Sequence, residues 1–422
     1  MQTIIGNAMI GQSGGPTAAI NATLAGVIRG AAAQTSIGRI FGAVNGIEGL
    51  LEERIVDLGA QFDSEEKLEA LAHTPAAALG SCRKKLPAYD SGDPIYQKLF
   101  SVFRKYGIRY FFYIGGNDSM DTVAKLSKYA AEHDSGISVI GVPKTIDNDL
   151  CGTDHTPGYG SAAKYIAATM QEILRDCAVY TVDAVTVVEI MGRDAGWLTA
   201  AAAVPKKYCG TAPDYVYLPE RPFAYEQLFA DIEAALKRHP NVVIAVSEGL
   251  RHADGSYVGA KSQSGTVDIF GHAYLSGTGR SLEAAIKQHF GCKVRSVELN
   301  IMQRCAAHVA SATDIEESVR IGMAAVQCAA AGKTARMMAF SRRPGAEYAV
   351  DITEIDVTTA ANSVRCVPDA FINEAGNGVT DACIDYILPL CEGELSLRWE
   401  HGLPVHAVID KTPVGAPDPD LD

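Results

Sequence analysis

Residues 4–10, 110–114, 138–142, 185–190, 242–246 and 336–340 are short runs dominated by apolar side chains, and most lack an alternating polar face. A strand with one wet face alternates, whereas a strand covered on both faces reads as a nearly continuous apolar run. These runs are therefore predicted to be strands of a parallel sheet. Helical patterns lie between them. Over 161–176, Tyr165, Ile166, Thr169, Met170, Ile173 and Leu174 form one apolar stripe, and Ser161 is placed to cap its start. Strands alternating with helices predict a doubly wound α/β architecture, and 422 residues are enough for two such domains. Sheets of this kind bind ligands in the loops beyond the carboxyl ends of their strands.

Composition narrows the class of function. A content of 47% hydrophobic and 21% charged residues is that of an ordinary soluble globular protein. The net charge of −13 argues against a general nucleic-acid or anionic-membrane surface, while leaving room for a local basic pocket. No window resembles a signal peptide or a spanning helix, so a cytoplasmic location is expected. The ten cysteines form no C-x-x-C pair and no C/H ligand spacing, which suits free thiols in a reducing compartment. The glycine- and serine-rich stretch 250–279 reads as loops, and 413–422 as a frayed tail.

Three predicted strand ends carry most of the chemistry. In "GQSGGPTAAINA", glycines 11, 14 and 15 precede an Ala-rich helix, so backbone N–H groups can approach an anion. A tight strand-to-helix turn reads equally well. The same stretch matches G-x-S-x-G with Ser13 in the nucleophile position, without identifiable partners. In "YIGGNDSMDT", Asn117, Asp118 and Ser119 follow Gly115-Gly116, either as helix caps or as oxygen donors for a hydrated Mg²⁺. In "PKTIDNDL", Asp147 and Asp149 stand two apart beside Lys144. One carboxylate suits a general base, and an ammonium there would neutralise a phosphoryl group. A solvated charged turn is the alternative for such a stretch taken alone. Later, "EIMGRDAGW" offers Arg193 after Gly192, "VSEGL" offers Glu248, and "NIMQRCAAH" offers Arg304 and His308, four apart on one face if helical. The "GKT" at 332–334 lacks the upstream glycine of a P-loop, because Gln327 stands there.

With these motifs assembled, the chain resembles the phosphofructokinase family, and within it the pyrophosphate-dependent branch. The resemblance runs from Gly11 to His308, and "TIDND" followed by "MGR" is its most specific part. It implies two doubly wound domains with the active site between them. Residues 1–158 plus about 313–375 would bind the phosphoryl donor; 159–312 plus about 376–422 would bind the sugar phosphate. It also implies that Asp147 takes the proton of the sugar 1-hydroxyl, with Asp149, Lys144 and Arg193 as catalytic partners. Thr145, Met191, Gly192, Arg193, Glu248, Arg304 and His308 would hold fructose 6-phosphate. Gly14, Gly15, Arg83, Gly116, Asp118, Ser119 and Lys144 would hold pyrophosphate, with Mg²⁺ at Asn117. ATP-using relatives carry glycine at the positions of Asp118 and Lys144, which leaves room for the α-phosphate. A homodimer or homotetramer is implied. The chain departs from the family at Asn117, usually aspartate; at Ala184, often an arginine that reaches a neighbouring subunit's site; and near Ala312, where a basic residue is expected. Two alternatives follow from these departures: another acceptor such as sedoheptulose 7-phosphate, or a weakly active sugar-phosphate-binding paralogue.

Overall fold

The computed structural model describes residues 5–259, 277–345, 347–361 and 363–417. Two sheets organise the chain. The first contains β1 (Gly6–Gln12), β2 (Ile37–Ala43), β3 (Ile55–Asp57), β4 (Ile108–Gly115) and β5 (Ser138–Pro143). The second contains β6 (Ala184–Ile190), β7 (Tyr215–Tyr217), β8 (Asn241–Ser247) and β9 (Lys293–Glu298). The chain then returns to the first sheet with β10 (Arg336–Arg342) and β11 (Val350–Asp356). The first sheet has the order β11-β10-β5-β4-β1-β2-β3, parallel except at its two edges. The second, β7-β8-β6-β9, is wholly parallel.

All six predicted strands are present, within a few residues at each end; residue 4, the start of the first predicted run, lies outside the described residues. The first strand runs on to Gln12, so Gly11 is paired backbone rather than loop. β2, β3, β7, β9 and β11 had no prediction. For β11 the reason is that its sequence VDITEID alternates, since this edge strand keeps one face wet; β2 is interior and was missed all the same.

Helices cover both faces of the first sheet. On one, helix Ile20–Ala32 packs against helix Ala312–Ala330. Gly26 makes the approach close: a Cβ there would stand 2.1 Å from the Val319 carbonyl oxygen. The other face carries Pro94–Lys105 and Asn117–Glu132.

Two expectations need correction. The helix predicted over 161–176 spans Tyr159–Cys177, and its start is not capped by Ser161. Asp314, from helix Ala312–Ala330, accepts from the Gly158 N–H (2.8 Å) and the Ser161 N–H (3.0 Å) instead. Likewise, the tail is docked as far as residue 416. The Val414 N–H donates to the Ile55 carbonyl, and Val414 and Ala416 pack on the core behind β3. Residues 418–422 of the tail and 260–276 of the Gly/Ser-rich stretch lie outside the described residues. Around that stretch, 251 and 257 form a bridge and a helix starts at Thr278.

The tail also bears on the division of the chain. Val367, Ile372, Ile384 and Leu390 join the core of the second sheet, whereas Leu395 and Ile409 return to that of the first. The segment after 376 therefore serves both sheets rather than the second alone. Among the described residues no helix is long and apolar enough to cross a membrane.

Candidate active site

The carboxyl ends of β1, β4, β5, β6, β8 and β9 meet around one cleft of about 1050 Å³. Its floor is the segment after β5. There burial alternates residue by residue: Thr145, Asp147 and Asp149 are half-buried and line the cleft, while Ile146, Asn148 and Leu150 are buried, the last two away from the cleft. Asn148 makes this possible by adopting a left-handed conformation (φ +54°). Its amide is tied on both sides, accepting from the Thr156 N–H at 3.1 Å and donating to the Tyr386 hydroxyl at 3.1 Å. The Thr145 hydroxyl accepts from the Asp147 N–H.

Lys144 leaves the end of β5 fully buried, 2% exposed. Its Nζ donates to the Gly15 carbonyl at 2.6 Å, and a Cβ on Gly14 would lie 3.2 Å from it. Gly14 has φ +76°, a left-handed conformation that favours glycine. Burial pulls the Lys144 ammonium down to about 8, against the support of Asp147. Burial also pushes Asp147 up from the ordinary carboxylate range, although Lys144 opposes the change. Asp149 is pushed up to about 7 by burial and by the charge of Asp147.

The β4 end forms another wall of the cleft. A Cβ on Gly115 would stand 1.9 Å from the Ser119 hydroxyl oxygen, so Gly115 lets helix Asn117–Glu132 begin tightly against the strand. Asp118 lies in its first turn and pairs with Lys85 at 3.2 Å. The Asn117 amide donates to Asp149 at 3.1 Å, while its Oδ1 is buried without a hydrogen-bond partner. Arg83 and Lys84 close this side.

From the second sheet, Met191 and Arg193 follow β6, and Glu248 follows β8. Gly192 has φ +121° and does not line the cleft; its N–H donates to Glu248 at 3.2 Å. Burial, then the charge of Asp147, push Glu248 up to about 7. Gly249 lets Arg193 approach, since a Cβ there would lie 1.9 Å from the Arg193 carbonyl oxygen. Arg304 reaches the cleft from helix Met302–Cys305, near Gly15.

The sequence reading thus converges on one place for Gly14, Gly15, Arg83, Gly116, Asn117, Asp118, Ser119, Lys144, Thr145, Asp147, Asp149, Met191, Arg193, Glu248 and Arg304. His308 is elsewhere. The helix carrying Arg304 breaks at Ala306 (φ −77°, ψ 67°), and His308 sits exposed on a separate 3-10 turn, Ala307–Val309. The two share no helix face. Lys164, one helix turn past the start of helix Tyr159–Cys177, does not line the cleft and is bonded to the Gly393 carbonyl and to Glu394. Ala312 packs against Gly393.

Sequence reasoning missed Asp194, whose charge raises both Asp147 and Asp149. Its signal was adjacency to Arg193. It also missed Gln303, a buried strut accepting from the Met191 N–H, and the contribution of Ser363 and Val364 to the cleft wall. The two motif matches resolve as turns. The Ser13 hydroxyl donates to the Cys82 carbonyl, and no histidine among the described residues lines the cleft. In the 332–334 stretch Lys333 pairs with Glu354, and the Thr334 hydroxyl accepts from Val139.

A family model described as "Phosphofructokinase" matches residues 7–329. A pyrophosphate–fructose 6-phosphate 1-phosphotransferase of Halomonas elongata is 40% identical over 410 residues, covering 96% of each chain. One of the same name from Xanthomonas campestris pv. campestris is 40% identical over 412 residues, covering 97% of each. Among solved structures, a pyrophosphate-dependent phosphofructokinase from Nitrosospira multiformis superposes with a TM-score of 0.85 at 36% identity, covering 98% of both chains.

Proposed function

Because the chain belongs to the phosphofructokinase family, we propose that its cleft moves a phosphoryl group from pyrophosphate to the 1-hydroxyl of fructose 6-phosphate. One observation carries the choice of donor. Lys144 and Asp118 both line the donor end, where ATP-using relatives have glycine, and Lys144 is fixed there by the Gly15 carbonyl. A side chain at each position occupies the space an α-phosphate would need.

Asp147 takes the acceptor proton. A carboxylate raised above its usual range is a stronger base at neutral pH than an exposed one. Lys144 and Arg193 neutralise charge on the phosphoryl group in flight, and Arg304 extends the cationic wall. Glu248 accepts from sugar hydroxyls. Gly192 acts through Glu248 rather than by touching substrate.

A hard divalent cation such as Mg²⁺ fits the oxygen-rich donor end. Asn117 Oδ1 is buried without a partner beside Asp149, and phosphate oxygens and water would complete the coordination. When bound, the cation supplies charge neutralisation to the phosphates. Among the described residues no cluster of three His, Cys, Asp or Glu could hold it alone, so it would arrive with the donor.

The acceptor phosphate is short of cations within one chain. Glu189, Glu248, Glu298 and Asp194 share the second-sheet wall with Arg193 and Arg304. Ala184 lies at the other end of β6 from Met191, next to Lys293 and Arg295 of β9. In a dimer or tetramer those two residues can supply a neighbouring site with the charge that Ala184 lacks. The same shortage favours a second reading, a longer acceptor such as sedoheptulose 7-phosphate. Initial rates of purified protein with pyrophosphate or ATP, against a panel of sugar phosphates, test both. Turnover with ATP and none with pyrophosphate overturns the donor assignment.

A further inference from the structure

Two like charges two residues apart will not hold a turn open toward a cleft unaided. Asp147 and Asp149 repel, and the residue between them occupies a conformation that disfavours any side chain but asparagine, aspartate or glycine. Besides Thr156 on one side of Asn148, what holds this turn lies in a part of the chain beyond residues 7–329, the span matched by the family model.

The Tyr386 hydroxyl is the hub. It accepts from the Asn148 amide at 3.1 Å and from Arg365 Nη2 at 2.8 Å, and donates to the Asp154 carbonyl at 2.7 Å. Its one hydrogen and both lone pairs are therefore in use. Arg365 grips the same loop at two further points. Its backbone N–H donates to the Asp149 carbonyl at 2.7 Å, and its Nη1 donates to the Thr153 carbonyl at 2.7 Å and to that of Asp154. The guanidinium lies over the Trp197 ring at 4.4 Å, and the Trp197 indole N–H donates to the Arg365 carbonyl at 2.9 Å. Arg342 locks the hub from behind, bonding the Tyr386 carbonyl and the Asp154 carboxylate. Neither Tyr386 nor Arg365 lines the cleft.

We infer that Tyr386 and Arg365 are positioning residues for the phosphoryl-transfer step, clasping the turn so that Asp147 and Asp149 face the substrates. They act on geometry and touch no substrate. The inference rests on Asp147 and Asp149 being the working carboxylates.

The test is Tyr386→Phe, which keeps the ring and removes the hub. The expected result is a kcat lower by about ten- to a hundredfold, the scale of a small misplacement of reacting groups. KM for both substrates should stay within about threefold. Asn148→Gly keeps the left-handed conformation but removes the amide; it should lower kcat similarly. The double variant should lose little more than the worse single, because both remove the Asn148–Tyr386 bond. The inference is overturned by folded Tyr386→Phe with kcat within about threefold of wild type, by a rise in KM at unchanged kcat, or by losses that multiply in the double variant. Should Tyr386→Phe not fold, Asn148→Gly decides alone by the same thresholds. Asp147→Ser separates the two levels. If it retains turnover, the carboxylate assignment fails; if it abolishes turnover while Tyr386→Phe is silent, only the clasp fails.

Discussion

Replacing Lys144 with methionine keeps the buried stem and removes the charge. The drop of the ammonium from the ordinary 10.5 to about 8 corresponds to roughly 3 kcal/mol of unfavourable burial. That ammonium is still mostly charged at neutral pH, yet poorly compensated until a phosphate arrives. An incoming phosphoryl group therefore meets a donor that gains by pairing with it. Losing such a partner in a dry site lowers kcat by about 10² to 10³-fold, roughly 3 to 4 kcal/mol. A second effect follows from the same geometry. Lys144 is the main charge holding Asp147 down, so without it Asp147 rises further. The base must be ionised to work, so activity falls as pH drops through its pKa, and in Lys144→Met that fall begins at higher pH. Initial rates with pyrophosphate at saturating fructose 6-phosphate, from pH 6 to about 9.5, measure both. A kcat within about threefold of wild type, or an unmoved acid limb, refutes the assigned role.

In the wild type, kcat/KM against pH should be bell-shaped. Its acid limb lies near the raised carboxylates, about 7 for Asp149, and its alkaline limb near about 8 for Lys144; a plateau reaching down to pH 5 would contradict this. Asp147→Ser should leave both substrates bound while kcat falls by orders of magnitude, as equilibrium binding beside turnover would show; weakened binding with kcat within about tenfold would make Asp147 a binding residue. Ala184→Arg should lower KM for fructose 6-phosphate by about tenfold without changing that for pyrophosphate, since one charge-assisted contact is worth about 1.5 to 3 kcal/mol. Asp149→Asn should raise the melting temperature while lowering turnover, because it removes a buried charge that Asp147 repels.

The central strands were legible because burial on both faces writes a continuous apolar run, as in 185–190 and 242–246. Edge strands were not, because a half-wet strand such as Val350–Asp356 reads like polar loop. Most of the site was legible for a related reason. Its residues sit just past the legible strands, at positions where glycine or a charge interrupts apolar sequence. What failed was inference by spacing alone. Arg304 and His308 are four apart, but the helix between them ends at Ala306. The clasp was invisible because Tyr386 meets Asn148, and Arg365 meets Asp149, only through tertiary contact, more than two hundred residues away in sequence.

The chain passes between the two sheets' cores repeatedly: from β5 to helix Tyr159–Cys177, back into helix Ala312–Ala330, out again by Val367, and home by Leu395. Neither half hangs on a single thread. A protease nick at any one of these passages would leave the pieces interlocked, migrating together under native conditions and separating only on denaturation. Opening of the cleft must accordingly come from sliding or loop movement rather than from a free swing about one hinge.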